Sequence, residues 1–486
     1  MDILNLPLEI LLRTSEYLDT LSLVKLSSSS KFFLSFRRFV IAKKTRLVLT
    51  DSLRGISKFI WQNIEFVDID TPANLTTLNR FCKRLEKVSN VKQVHIYYHK
   101  SFNVNALSKL GHIRSLQFGG VKGFKNLSAL SALSALKELA LCLCQVKDSS
   151  ALSSLIHLRK LIFHGIPSII PLSDLINLEE LNISFSRIND ISPLSTLVNI
   201  TTLKINVNRV NDLNPLKNMK KLKVLELNSN YLLTLNCNSL KGLVNLVKLD
   251  LSNNCIADIS SLSAMINLQN LQLDGNAISD ISPLHNLINL TELYLSGNSI
   301  QDLSVLVNLI HLNHLELKSN NISNLTGIQN LIRLNRLELH CNRLIDIGPL
   351  SELYGLECLN LSYNQIQNCG PIAGLIKLSN LNMASNEISD IKPLSKLFNL
   401  KDLNLNCNRI CDITSVKYLK KITILDLKYN GISDVDSIKH LKSLVCLDLS
   451  GNVIENMEVL EKLDVDIDCE SDFGAFDSEF DEAGVF

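Results

Sequence analysis

The residue types that carry reactions are present in this chain, but they stand apart from one another. The ten histidines are isolated. None of the spacings that build a phosphate loop, a dinucleotide turn after a strand, a zinc-protease helix or a nucleophile elbow occurs. One set of side chains does recur at a pitch that would bring it together. Glu292 and Tyr294 are followed 22 residues later by His314, Glu316 and Lys318, then by Arg336, Glu338 and His340, with Tyr363 beyond. Charge mixed with aromatic area is the composition of a protein contact. A metal site from His314, Glu316 and His340 would need their side chains to converge, which spacing alone does not establish. The expectation is a non-catalytic binding protein with no cofactor and no metal.

The element that positions these residues is a repeat. Asparagine recurs at 208, 230, 254, 276, 298, 320, 342, 364, 386, 408, 430 and 452, at steps of 22 with one of 24 between Asn230 and Asn254. The twelve positions are Asn208, Asn230, Asn254, Asn276, Asn298, Asn320, Asn342, Asn364, Asn386, Asn408, Asn430 and Asn452. Each closes the pattern LxxLxLxxN, and DIxPL-like segments such as Asp280-ISPL follow. The period of two in LxL puts leucines on one face of a short strand and changeable residues on the other. The Asn amide both donates and accepts, so it can serve backbone groups of its own coil and the next. Proline presets φ for a tight helical turn back. One coil buries too few aliphatic side chains to offset the ordering of its backbone, so the coils must stack. The opening position of the pattern appears seventeen times between Val91 and Leu444, and IEFVDI (64–69) reads as a degenerate earlier copy. The first coils are irregular, with Val121, Cys144, Ile166 and Ser186 in place of Asn.

This pattern resembles the leucine-rich repeat, specifically the short 22-residue class found in a phosphatase regulatory subunit and in bacterial internalins. The resemblance covers residues 91–463 and implies an α/β repeat solenoid. Its curved parallel sheet would carry short helical or 3-10 segments on the convex side. The concave face, with Glu292, Tyr294, His314, Glu316, Lys318, Arg336, Glu338, His340 and Tyr363, would meet a protein target. Further along, Asp250, Asp426 and Asp448 alternate with Asn182, Asn360, Asn382 and Asn404 at the middle strand position. That polar-acidic lean argues against nucleic acid as the ligand.

Residues 1–40 read as a separate helical module. Pro7 suits a helix start, Asp19 and Ser22 a stop and a cap, and Phe32, Phe33, Phe36 and Phe39 form a basic aromatic run. So short a segment cannot bury that apolar surface internally. The order of residues resembles an F-box at Leu6-Pro7, Glu9-Ile10, Tyr17-Leu18-Asp19, Leu23, Leu26-Ser27 and Ser30-Lys31 with Phe33; Ser29 departs from the family's usual Val. The resemblance implies a three-helix module docking a Skp-family adaptor through Leu6, Pro7, Ile10, Leu18, Leu23, Leu26 and Phe33. The chain would then be the substrate-recognition subunit of a cullin–RING ubiquitin ligase. The alternative is a scaffold or regulatory subunit of an enzyme such as a phosphatase, with the N-terminal helices as a cap. Residues 41–90 read as a connector and N-terminal cap, with a basic amphipathic helix around 75–88. Residues 464–486 read as an acidic tail protecting the last coil.

Bulk properties agree with a long repeat array. The chain has 486 residues, 46% hydrophobic and 20% charged, with a net charge of +1. A single core rarely grows past about 250–300 residues. The first 110 residues are basic, whereas from Asp464 there are nine acidic residues and no Lys or Arg. Twelve scattered cysteines without a CxxC pair read as free thiols of a reducing compartment. The opening MDILNLPLEILL lacks a basic leader and no apolar run is long enough to span a bilayer. A cytosolic or nuclear setting without membrane contact is expected, and Asn-x-Ser/Thr triplets such as the one at Asn289 are taken as products of the repeat.

Overall fold

The computed structural model describes residues 45–49, 64–69, 91–97, 104–121, 127–233, 240, 242–462 and 465–467. The N-terminal module, the 75–88 helix and all but the start of the acidic tail lie outside the described residues. The chain divides into two units, at 231/232.

Among the described residues of the first unit, nine strands pair in parallel, from Thr45–Leu49 and Ile64–Ile69 through Gln93–Tyr97 to Val224–Glu226. Among those of the second unit eleven strands do the same, from Lys248–Asp250 to Cys446–Asp448 and Asp466–Ile467. The 22-residue period translates directly into register. Glu292 sits opposite His314, Leu293 opposite Leu315 and Tyr294 opposite Glu316. Seven strands of the first unit and ten of the second correspond to the seventeen repeats (7 + 10 = 17). Thr45–Leu49 and Ile64–Ile69 lie in the segment read as a connector, and Asp466–Ile467 in the segment read as tail. A parallel sheet leaves unpaired backbone groups at its edge, and these segments satisfy them; Leu47 and Leu49 fall in register with Val67 and Ile69 of the next strand, although the rest of the repeat pattern is missing around them.

The leucines form the core. Leu290, Leu293 and Leu295 have no exposed surface, nor do Ile278, Ile300 and Ile322, each two residues past a ladder Asn. On the return path a 3-10 turn such as Ser282–Asn286 carries Pro283 in its first turn. The N–H of Ser282 donates to Asp280 Oδ1 at 2.8 Å, and the same Asx cap recurs at Asp190, Asp302 and Asp412. The N–H and then the hydroxyl of Ser192 and Ser304 hold the carboxyls of Asp190 and Asp302 below the usual carboxylate range, and the Thr414 hydroxyl and then its N–H do so for Asp412. Pro and Asp thus start the turn without a free N–H to satisfy.

The ladder asparagines tie the coils together. Asn298 Nδ2 donates to the carbonyls of Leu273, Leu295 and Ser296, and its Oδ1 accepts the N–H of Ile278 from the preceding coil. Asn320, Asn342, Asn364, Asn386, Asn408 and Asn430 repeat that set. The residue just before each ladder Asn is left-handed in all twelve cases, from Val207 at φ 54° to Tyr429 at 50°, with glycine only at 275, 297 and 451. In the irregular coils weaker groups fill the slot. Ser186 Oγ accepts from Gly165 and Ile166, and the Cys144 thiol faces the Cys142 carbonyl at 3.4 Å. Burial pushes that thiol up to about 11. Cys446 departs from the expectation of free thiols: it is disulfide-bonded, while the other eight described cysteines are free.

Candidate protein-interaction face

The strands Glu292–Tyr294, His314–Glu316 and Arg336–Glu338 lie side by side, so the changeable residues of three coils form one patch. Tyr294 and His314 pack ring against ring, centroids 4.9 Å apart, and the Tyr294 hydroxyl donates to Glu292 at 3.3 Å. His314 Nε2 lies 2.9 Å from Glu316. Glu338 is only 3% exposed yet neither carboxylate oxygen makes a hydrogen bond. It is held instead by ion pairs, Arg336 at 3.3 Å and His340 at 3.5 Å, and His340 Nδ1 also meets Asn360 at 3.1 Å. Lys318 lies half-buried on the same face. Tyr363 is different: it occupies a left-handed turn position, φ 54°, and is 62% exposed, apart from this network. Among the described residues no three His, Cys, Asp or Glu are arranged to hold a metal.

Two residues that the spacing did not single out complete the patch. Asn270 donates to Glu292 from the preceding strand. Asp274 accepts the N–H of Ser296 from the following coil at 2.7 Å. That N–H would otherwise be served by the side chain at position 294, where other coils have Asp or Asn, but Tyr294 cannot accept it. Burial, opposed by this hydrogen bond and reinforced by the charges of Glu316 and Asp250, raises Asp274 to about 7. Burial followed by the neighbouring Glu292 and Glu316 charges raises the Tyr294 phenol as well.

The polar-acidic column further along is engaged within the fold. Asp250 accepts the N–H of Ser252, Asp426 that of Lys428 and Asp448 that of Ser450, at 2.9–3.0 Å. Asn182, Asn360, Asn382 and Asn404 do the same for the residue two places on. These side chains close Asx turns that lead the strand into the left-handed residue. Their identity follows from the turn, so they say little about a ligand.

A second amide ladder was also hidden in the sequence. Asn267, Asn289 and Asn399, nine residues before a ladder Asn, each donate Nδ2 to a carbonyl of the preceding coil, Val244, Ile266 and Ile376 respectively. The Asn289-Leu-Thr triplet is thus a structural amide in place. A period of 22 in Asn at this column was the available signal.

The F-box domain family matches residues 3–36. "Leucine Rich repeats (2 copies)" matches 244–286, 266–308 and 354–396, and "Leucine rich repeat" matches 398–454. A search of curated proteins finds no match. Among solved structures, an internalin from Listeria monocytogenes is 34% identical over 62% of this chain and 89% of its own, with a TM-score of 0.59. A leucine-rich-repeat protein of Leptospira interrogans, 24% identical, covers 79% of this chain and 97% of its own at a TM-score of 0.67. The leucine-rich-repeat ectodomain of a plant membrane receptor kinase from Arabidopsis thaliana is 21% identical, covering 84% and 59%, at 0.57. The last two share the fold alone. With coils in 22-residue register, an asparagine ladder between them and these relatives, the chain belongs to the leucine-rich-repeat family, its repeats following an F-box domain.

Proposed function

We propose that this protein is a non-catalytic substrate-recognition subunit of a cullin–RING ubiquitin ligase. The F-box holds a Skp-family adaptor while the changeable strand face of the repeats holds the protein to be modified. The observation that carries this reading is the F-box match at residues 3–36 in the same chain as the repeats. Leu6, Pro7, Ile10, Leu18, Leu23, Leu26 and Phe33 are assigned to the adaptor contact or to the packing behind it.

The target contact is assigned to Glu292, Tyr294, His314, Glu316, Lys318, Arg336, Glu338 and His340, with Tyr363 at its edge. Two features support that choice. Tyr294 and Arg336 are residue types that anchor protein interfaces. The buried Glu338 carboxylate holds Arg336 and His340 in place by ion pairs, so those two side chains are pre-positioned for a partner. Among the described residues no helix is long and apolar enough to cross a membrane.

Affinity purification of the full chain tests the proposal. A Skp-family adaptor should co-purify and should be lost on Leu6→Ala/Pro7→Ala, while circular dichroism of the repeats stays unchanged. Absence of an adaptor from the wild-type purification would overturn the reading.

A further inference from the structure

Ten residues before each ladder asparagine, just ahead of the strand, the second unit exposes a large apolar side chain in eight successive coils. The row begins at Val244 and Ile266 and runs to Tyr354, Ile376 and Phe398, every member between 48% and 62% exposed. Buried apolar side chains flank each member: Leu375, one place before Ile376, and Leu378, two places after it, have no exposed surface. Single apolar residues on a surface need no account, but a contiguous row of this length marks a contact.

The rim beside this row is charged with one sign. One and three places further along each coil stand Arg333, Lys377, Lys401 and Lys421, all exposed. Glu357 is the single acid in those two columns of the second unit. Lys421 Nζ rests 2.7 Å from the Asn399 amide oxygen and Arg333 lies 3.0 Å from His311 Nδ1, contacts that leave the charge unbalanced. Among the described residues Lys377, Lys401 and Lys421 have no acidic partner. The same columns are hollowed where His311 and Arg333 line a cleft of about 540 Å³ with Asn289 and Thr291.

An apolar rail bordered by lysines fits an acidic segment that carries spaced large apolar side chains. Residues 468–486 have that composition: Phe473, Phe476, Phe480 and Phe486 stand among seven carboxylates, with no Lys or Arg. They continue from the strand Asp466–Ile467, which pairs with Cys446–Asp448. Three strand steps separate that strand from the coil of Phe398, about 15 Å at 4.8 Å per step. Nineteen residues reach up to roughly 60 Å, enough to pass Phe398, Ile376 and Tyr354. We propose that residues 468–486 dock along this rim of the second unit, with phenylalanines on the Tyr354–Ile376–Phe398 rail and carboxylates against Lys377, Lys401 and Lys421. The changeable strand face stays open in this arrangement.

Chymotrypsin digestion of the full chain, read by mass spectrometry, tests the docking through cleavage after Phe473, Phe476 and Phe480. Each rate is divided by that of a free synthetic peptide of the same 468–486 sequence. At low salt the wild-type tail should be cut at least about tenfold more slowly than its peptide. The protection should be lost in Lys377→Glu/Lys401→Glu/Lys421→Glu, and reduced at high salt as screening predicts. A tail reversed by Asp477→Lys/Glu479→Lys/Asp481→Lys should be unprotected on the wild-type rim and protected again on the reversed rim, a rescue that damage to the fold cannot produce. Equal ratios for wild-type and reversed rims, or no rescue, would overturn the proposal. Protection that rises with protein concentration would overturn it too, because the tail of a second copy would then be the occupant.

Discussion

At the scale of single residues, an amide and a carboxyl show how position sets chemistry. Asn298 serves three carbonyls and one N–H. Asn298→Leu orphans the Ile278 N–H and strips one of two donors from each carbonyl, which keep Asn276, Asn320 and the Gly275 N–H. An orphaned buried donor costs about 1–3 kcal/mol, so the loss should be about 2–3 kcal/mol, read by denaturant unfolding, with hydrogen exchange accelerating first at Ile278. Asp274 works in the opposite sense. Its folded-state value of about 7 lies above that of an unfolded aspartate, so the folded protein holds the extra proton. Its contribution to stability is full below the unfolded carboxylate range and is lost as the pH rises through about 7. Asp274→Asn keeps an acceptor for the Ser296 N–H and removes the titration. The melting temperature of the variant minus that of the wild type should therefore grow between pH 5 and pH 8, by roughly 2–4 °C. A difference that stays constant over that range would count against the raised value.

At the scale of the element, each coil is a compromise between a strand, a left-handed residue and a 3-10 turn. The left-handed position is filled by glycine in three coils and by side-chain-bearing residues in nine, Val207 among them. A β-branched residue there is strained by about 1–2 kcal/mol, and the amide bonds of the following Asn hold it in place. Val207 is 42% exposed, so its removal sacrifices little packing. Val207→Gly should stabilise the first unit by about 1 kcal/mol, measured by denaturant titration, against the usual direction for glycine substitution. Strand length shifts with the same residues. The coils with Val121 and Cys144 in the ladder slot have five-residue strands, whereas those closed by Asn208 and Asn230 have three. Where the amide takes over the backbone groups, the strand ladder ends earlier.

At the scale of the whole chain, an F-box domain precedes a stack of repeats, and the proposed function gives the first an adaptor and the second a target. If the N-terminal module serves the adaptor alone, deletion of residues 1–40 should leave the melting temperature within about 2 °C. If it caps the repeats instead, the deletion should destabilise the first coils, and the exchange of amides in Gln93–Tyr97 should rise. Thermal melts with hydrogen exchange of that truncation separate the two roles.

The period of 22 was enough to deduce register, core and the two faces of each repeat's strand, because a repeated coil has one way to bury its leucines and pair its neighbours. That Glu292, His314 and Arg336 stand side by side on one face follows from the same arithmetic. What arithmetic could not supply was the use of each side chain. Asp250 and Asp448 read as a polar-acidic lean of the strand face but close turns, the Asn289 triplet read as a mere product of the repeat but its amide bridges coils, and Asp274 was overlooked although it replaces the cap that Tyr294 lacks. Strands at 45–49 and 466–467 were missed because neither carries the full LxxLxLxxN pattern, and pairing at an edge needs only backbone. The fate of a polar group depends on which backbone donors stand within about 3 Å, and that is a property of neighbouring coils in space.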